Sequence, residues 1–203
     1  MSAAREYELD EQYGQCEWPR PPQGGWTADD LDRLPNLPPH TELIDGSLVF
    51  MSPQTAFHSR AMRLFEFALL DQASDALDVM REMTVKLDDI NRLEPDVLVL
   101  RAGADAGPRD TFYRAEDVVL AIEVVSLDSK ARDREVKPRK YAGAGVPHFW
   151  RVEDDCGLPV VYVYELDPAV KAYQPAGIYH DKLTLTVPFP IEIDLTAINR
   201  RRP

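Results

Sequence analysis

Two strongly apolar runs that each carry a carboxylate constrain the fold of this chain more than any other feature. The first spans residues 94–100, with Asp96 near its start, and the second spans residues 118–126, with Glu123 in its middle. Runs this apolar are typical of strands covered on both faces, as in the centre of an α/β sheet. Because an unpaired carboxylate is costly to bury, Glu123 requires a proton, a partner or a metal ion.

The length and composition indicate one globular domain. At 203 residues with 44% hydrophobic residues, the chain can form a core, and we divide it into an N-terminal tail or arm (residues 1–25) and a single domain (residues 26–203). A net charge of −12 argues against a general nucleic-acid coat protein, although it allows an enzyme whose basic groups line one cleft. Two cysteines are too few for a disulfide framework, and no segment has the apolar length of a membrane span. We expect a cytoplasmic protein without membrane contact.

Local patterns predict a strand-rich α/β fold with few helices. Thr27 and Asp30 fit a capping box, and Asp45-Gly46 between apolar runs fits a hairpin turn within residues 41–51. Helical spacing of apolar residues predicts an amphipathic helix over residues 58–72. Further strands are predicted at residues 79–87, 147–152, 160–165, 171–174, 182–187 and 191–195.

A basic segment follows the second apolar run. Residues 130–140 contain six basic side chains, which makes this the one local basic patch of an acidic sequence. Glycines at 143 and 145 are suited to end a helix. Pro138 is tolerated in the first turn of a helix and disfavoured deeper in, so the helix begins near residues 134–137 or is kinked, and Lys137 lies in its first turn either way.

Three carboxylates and one lysine have the chemistry of a metal-dependent hydrolase. Mg²⁺ prefers oxygen ligands, commonly one or two carboxylates completed by water and substrate phosphate. Glu42, Asp96 and Glu123 supply such oxygens, and a nearby lysine such as Lys137 can orient a water molecule and offset charge on phosphorus.

A set of ordered motifs resembles the Uma-type putative restriction endonucleases, within the PD-(D/E)XK nuclease superfamily. The motifs run from about residue 27 to the C-terminus and are Glu42-Leu-Ile-Asp-Gly, Met51-Ser-Pro, His58, Glu94-Pro-Asp-Val, Ile122-Glu-Val-Val-Ser, Asp133-x-x-x-Lys137-x-x-x-Tyr141 and Gly145-Val-Pro-His-Phe-Trp150.

The resemblance implies a restriction-endonuclease-like core, in which helices flank a mixed central sheet and extra strands follow at the C-terminus. It implies a homodimeric, Mg²⁺- or Mn²⁺-dependent endonuclease of DNA, with Asp96 and Glu123 as metal ligands assisted by Glu42. The superfamily lysine stands two residues after the acid, where this chain has Val125. The resemblance therefore indicates that the lysine has moved to the following helix, as Lys137, although Lys130 and Lys140 lie in the same basic segment.

Each candidate has an alternative role. Asp96 could cap a turn, Glu123 could pair with Arg132, and Glu42 could be a surface charge of the hairpin. His58 could lie near the phosphate or pack at the helix start. Tyr141 could orient the lysine or belong to the core, and we expect Asp133 to cap the helix.

The basic segment supplies three candidate phosphate ligands, Arg132, Arg134 and Lys140. Alternatively, these side chains belong to a solvated face whose charge is balanced by Asp133 and Glu135.

Two other functions fit the same residues. The net charge and Val125 favour a nuclease-derived binding or regulatory module that no longer cuts. A hydrolase of a small phosphoester would not need an extended basic track.

Overall fold

The computed structural model describes residues 20–104 and 107–200. In chain order the elements are β1 (Glu42–Ile44), β2 (Ser47–Val49), α1 (Ala56–Gln72), β3 (Leu77–Arg81), β4 (Thr84–Asp88), β5 (Asn91–Leu93), β6 (Val97–Arg101), β7 (Phe112–Arg114), β8 (Val118–Val124), α2 (Lys137–Gly143), β9 (His148–Asp155), β10 (Leu158–Asp167), β11 (Ala172–Tyr179), β12 (Lys182–Leu185) and β13 (Ile191–Asp194). Short 3₁₀ helices cover Ala28–Asp32, Ala115–Asp117 and Leu195–Asn199, and a π-helical turn covers Arg132–Val136.

The predicted central sheet is confirmed as a mixed six-stranded sheet. Its strand order is β11-β10-β9-β8-β6-β3. Only β8 and β9 pair in parallel, whereas β6 and β8 are antiparallel neighbours with Val97 opposite Ile122. Apolar clusters cover both faces of β6 and β8, which explains why these two strands read as continuous apolar runs. A helix-poor mixed α/β fold follows, as the sequence predicts.

A second sheet of five short strands carries the N-terminal hairpin. Its order is β2-β1-β5-β4-β7, and the Asp45-Gly46 turn joins β1 to β2 with positive φ at both residues, as predicted. The single strand predicted at residues 79–87 is wrong. Glu82 adopts a φ of 52° and separates β3, in the main sheet, from β4, in this second sheet.

The helices agree closely with their sequence patterns. α1 begins after Thr55, whose side chain accepts a hydrogen bond from the backbone N–H of His58. The Asp30 carboxylate accepts a hydrogen bond from the backbone N–H of Thr27, as expected for the N3 acid of a capping box, and a second one from the Thr27 hydroxyl, although the helix it opens is 3₁₀. Most of the predicted N-terminal arm lies outside the described residues. Neither described α-helix has the length and apolar character to cross a membrane.

Two glycines allow the N-terminal segment to pack on the hairpin turn. The N–H of Trp26 donates to the carbonyl of Gly46 at 2.8 Å. A Cβ added at Gly25, whose φ is +87°, would lie 2.7 Å from the Gly46 carbonyl oxygen. Since real Cβ atoms do not approach backbone oxygen so closely, only glycine fits at position 25.

We expect Gly25→Ala to destabilise the protein by about 1–3 kcal/mol, because the new methyl group meets backbone that cannot move aside. Urea denaturation measures the change. Gly143→Ala is the matched control, because Gly143 lies in α2 with open space around it and alanine raises helix propensity by up to about 1 kcal/mol. Equal midpoints for Gly25→Ala and the unmodified protein would contradict the close packing.

Candidate active site

The pairing of β6 with β8 brings Asp96 next to Glu123. Asp96 immediately precedes β6, and the register that sets Val97 opposite Ile122 continues to these two acids. The Asp96 carboxylate accepts a hydrogen bond from the backbone N–H of Val124 at 2.6 Å. Its other oxygen lies 2.8 Å from Nε2 of His58, at the start of α1. The two carboxylates predicted to bind metal therefore lie at one end of adjacent strands.

The ammonium group of Lys137 lies among buried carboxylates. Its Nζ is 2.8 Å from Oε2 of Glu123, 2.9 Å from Oε1 of Glu42 and 3.5 Å from Oδ1 of Asp133. All four side chains are at least 98% buried. Glu42 is thus a buried residue of the site, and its interpretation as a surface charge of the hairpin is wrong. Glu123 pairs with Lys137 and not with Arg132.

A local irregularity of the backbone directs Lys137 towards the strands. The π-helical turn Arg132–Val136 directly precedes α2, and Lys137 is the first residue of α2. Asp133 lies inside this turn, so its predicted role as a helix cap is wrong. Turns of this kind are frequent at functional sites. Here the turn places the Asp133 and Lys137 side chains four residues apart on one side.

Further hydrogen bonds fix the orientation of the carboxylates. The hydroxyl of Tyr141 donates to Oε1 of Glu123 at 2.6 Å, and the backbone N–H of Glu94 donates to Oε1 of Glu42 at 2.8 Å. The hydroxyl of Ser129 donates to Asp133. Tyr141 therefore contacts the acid, and it orients the lysine only through that acid.

Burial and the proximity of like charges shift the pKa values of the titratable side chains in the site. Burial, followed by the fields of Asp133, Asp96 and Glu42, raises the pKa of Glu123 well above its ordinary value, despite the opposing field of Lys137. Burial acts to lower the pKa of Lys137, but the fields of Glu123, Glu42 and Asp133 outweigh it and raise that pKa. Lys137 is consequently an ammonium ion at neutral pH. Burial also raises the pKa of Asp133.

Sequence reasoning assigned no role in the site to Asp133, Ser129 or Glu94, although Asp133 and Glu94 stand in the quoted motifs. For Asp133 a signal existed, because its spacing of four residues from Lys137 is the spacing of an ion pair on a helix. Ser129 and Glu94 carry no comparable local signal, since their contacts depend on a loop conformation and on a backbone N–H.

The three candidate phosphate ligands have different surroundings. Arg134 donates through Nε to Glu153 at 3.0 Å, and Lys140 forms an ion pair with Asp45. Nε of Arg132 is buried without a hydrogen-bond partner in the described part of the chain. A phosphate role for these residues stays a prediction.

The donor atoms of the site are chemically suited to Mg²⁺ or Mn²⁺. Asp96, Glu123 and Glu42 present carboxylate oxygens, and Oε2 of Glu42 is buried without a hydrogen-bond partner among described residues. Oxygens that already accept one hydrogen bond keep a second lone pair for another ligand. Within the described residues, no three acidic, histidine or cysteine side chains are arranged to hold a metal ion. Two carboxylates with water and phosphate suffice for Mg²⁺, so the donor set fits.

The raised pKa of Glu123 predicts a pH-dependent stability. The folded protein binds this proton more tightly than the unfolded chain does, so the bound proton stabilises the fold. This stabilisation is fully present below the ordinary carboxyl pKa and is lost as the pH rises through the pKa of Glu123 in the folded protein. The Lys137 contribution stays constant until alkaline pH, because its pKa is raised from an already high value.

We therefore expect Glu123→Gln to flatten the decline in urea-unfolding free energy with increasing pH. The measurement is a series of denaturation curves between about pH 5 and pH 9, a range above the ordinary carboxyl pKa. Glu116→Gln, at an exposed position, is the matched control and should keep the decline of the unmodified protein. A decline of equal slope in Glu123→Gln would rule out Glu123 as its source.

Comparisons with known proteins agree with this architecture. The sequence model of the family described as Uma2, putative restriction endonuclease, matches residues 28–197. No curated protein matches the chain. The fold is similar to the crystal structure of a putative nuclease belonging to DUF820 from Anabaena variabilis ATCC 29413, with a TM-score of 0.68 and 15% sequence identity. That alignment covers 85% of this chain and 96% of the other, and at this identity the similarity concerns the fold.

Proposed function

The chain belongs to the Uma2 family of putative restriction endonucleases, and from that premise we propose that it hydrolyses phosphodiester bonds in DNA with the help of a divalent metal ion. The placement of Lys137 carries this proposal. Its ammonium group bridges Glu42 and Glu123, next to Asp96, although Val125 occupies the position of the superfamily lysine. A lysine on α2, the helix after β8, thus provides the positive charge that β8 itself does not carry.

Asp96 and Glu123 would hold Mg²⁺ or Mn²⁺, with Glu42 assisting. When bound, the ion supplies charge neutralisation at phosphorus and a lower pKa for a coordinated water. His58 and Tyr141 position the two carboxylates through hydrogen bonds of 2.8 and 2.6 Å. These contacts limit carboxylate rotation, so the ligands need little reorganisation.

Lys137 acts in this scheme as a hydrogen-bond donor and a fixed positive charge. Because its pKa is raised, it does not accept a proton at neutral pH and is not the general base. Two of its three N–H donors face Glu123 and Glu42, which leaves one donor to orient a water molecule or a phosphate oxygen. The homodimer and the cytoplasmic setting stay predictions.

We expect the purified protein to cleave DNA in Mg²⁺ or Mn²⁺ and to lose this activity in EDTA. Lys137→Ala should reduce cleavage at least about 100-fold, the typical effect of removing an electrostatic group from a catalytic site. Lys130→Ala, at an exposed position of the same basic segment, should cleave like the unmodified protein. The measurement is cleavage of plasmid and single-stranded DNA, with RNA and small phosphodiesters in parallel.

The folding of Lys137→Ala needs its own check, since removing one partner of a buried ion pair costs about 3–5 kcal/mol. Asp96→Asn provides a second variant, because the Asp96 side chain is 13% exposed and its loss leaves the lysine cluster intact. Circular dichroism establishes that each variant is folded. Cleavage by folded Asp96→Asn at the unmodified rate, or no cleavage of any substrate by the unmodified protein, would contradict the proposed reaction.

A nuclease-derived binding module is the second candidate function. The observation that favours it is the occupation of the site by Lys137, whose ammonium contacts two of the three proposed metal ligands. In such a module the lysine would be a permanent internal counter-ion. The protein would then fold and bind partners without a divalent metal.

Metal affinity separates the two functions. If the site binds Mn²⁺, we expect Mn²⁺ to raise the unfolding temperature by linkage, with about 2.7 kcal/mol of stabilisation at a concentration 100-fold above Kd. The increase should be absent in Asp96→Asn and retained in Lys130→Ala. Calorimetric titration without detectable Mn²⁺ binding would support the module instead.

A further inference from the structure

A guanidinium and two tyrosines extend the face of the main sheet that carries Glu123. The register sets Glu123 of β8 opposite Arg151 of β9, and Arg151 opposite Tyr162 of β10. Residues paired in this way point to the same face of a sheet, and adjacent strands are about 4.8 Å apart. Tyr164 follows two residues later on the same face of β10, opposite Phe149.

Aromatic contacts fix the plane of the Arg151 guanidinium. Its central carbon lies 4.3 Å from the ring centroid of Tyr162 and 5.7 Å from that of Tyr164. Tyr164 in turn contacts Phe149 with a centroid distance of 5.8 Å. Stacking on aromatic rings holds an arginine in one orientation and leaves the edge of its fork free for an anion.

Within the described residues, Nε is the one nitrogen of the Arg151 guanidinium that forms an ion pair. Nε is buried and lies 2.8 Å from Oε1 of Glu153, an ion pair without hydrogen-bond geometry. The two terminal nitrogens make no hydrogen bond to a described residue and are not among the buried unpartnered atoms, so they reach solvent. The side chain as a whole is 14% exposed.

The charge of this group is positive overall. Glu153 is shared between Arg151 and Arg134, because Arg134 donates to the same carboxylate from the π-helical turn. One negative charge therefore faces two guanidinium groups. In a chain with a net charge of −12, this positive group lies on the same face as the acidic cluster.

We propose that Arg151, Tyr162 and Tyr164 form a subsite for the nucleic-acid strand next to the phosphodiester bond that is cleaved. The terminal nitrogens of Arg151 take a backbone phosphate, for which a planar fork is well suited. The half-buried tyrosine rings contact a sugar or base, since aromatic side chains stack on nucleic-acid bases irrespective of sequence.

This inference rests on the proposed function, because it assigns part of the substrate to the same face of the sheet. Within the described residues, no side-chain hydrogen bond or ion pair joins Arg151 to a proposed metal ligand. The subsite would therefore contribute to substrate affinity without contributing to metal binding. This independence from metal binding distinguishes the subsite from the carboxylate cluster.

The test is binding of a fluorescein-labelled single-stranded oligodeoxynucleotide in EDTA, followed by fluorescence anisotropy over a series of potassium chloride concentrations. We expect Arg151→Gln to weaken binding about tenfold and to reduce the slope of log K against log salt by about 0.7, the effect of losing one phosphate contact on a single strand. Tyr162→Leu should weaken binding and keep the slope. Arg114→Gln, which removes an exposed arginine of β7, should change neither quantity.

A second readout separates the subsite from a structural role of Arg151. Arg151→Lys keeps the charge and should keep the salt slope while losing part of the affinity, because ammonium lacks the planar fork. The Mn²⁺-induced rise in unfolding temperature should be unchanged in Arg151→Gln. A folded Arg151→Gln variant with unaltered affinity and salt slope would overturn the subsite alone. Absence of nucleic-acid binding by the unmodified protein in EDTA would overturn the subsite, whereas absence of cleavage of every substrate in Mg²⁺ or Mn²⁺ would overturn the proposed function.

Discussion

The buried ammonium of Lys137 connects the parts of this structure that form the candidate active site. Glu42 belongs to β1 of the five-stranded sheet, and Glu123 belongs to β8 of the six-stranded sheet. Lys137 begins α2 and lies within 2.9 Å of both acids. One side chain thus joins two sheets and a helix. Removing it would leave buried carboxylates that face one another without a counter-ion, an arrangement that proteins rarely tolerate.

This charge arrangement is poorly balanced for stability alone. Four carboxylates surround one ammonium group, namely Glu42, Asp96, Glu123 and Asp133. Burial raises the pKa of Glu123, so the folded state resists ionisation of a group that would be charged in water. Proteins commonly keep such costly arrangements where a function requires them. A divalent cation would relieve the same imbalance.

The register of the main sheet sets opposite charges side by side. Asp96 and Glu123 provide acidic groups on one part of the face, whereas Arg151 provides a guanidinium on the next strand. A strongly acidic chain can therefore present a local positive group where the substrate is expected. The net charge of the protein describes its average surface, whereas recognition depends on the few groups next to the site.

Local sequence determined the parts of this protein whose signals are themselves local. Apolar runs fixed β6 and β8, Asp45-Gly46 fixed the hairpin, and Pro138 restricted the helix start so that Lys137 lay in its first turn. Tertiary structure alone decided that Glu42 is buried next to Lys137 and that residues 79–87 divide between two sheets. The spacing of apolar residues along a helix or strand indicates which of its faces is covered by the core. The partner of a buried charge depends on contacts between residues far apart in the chain, which no local pattern encodes.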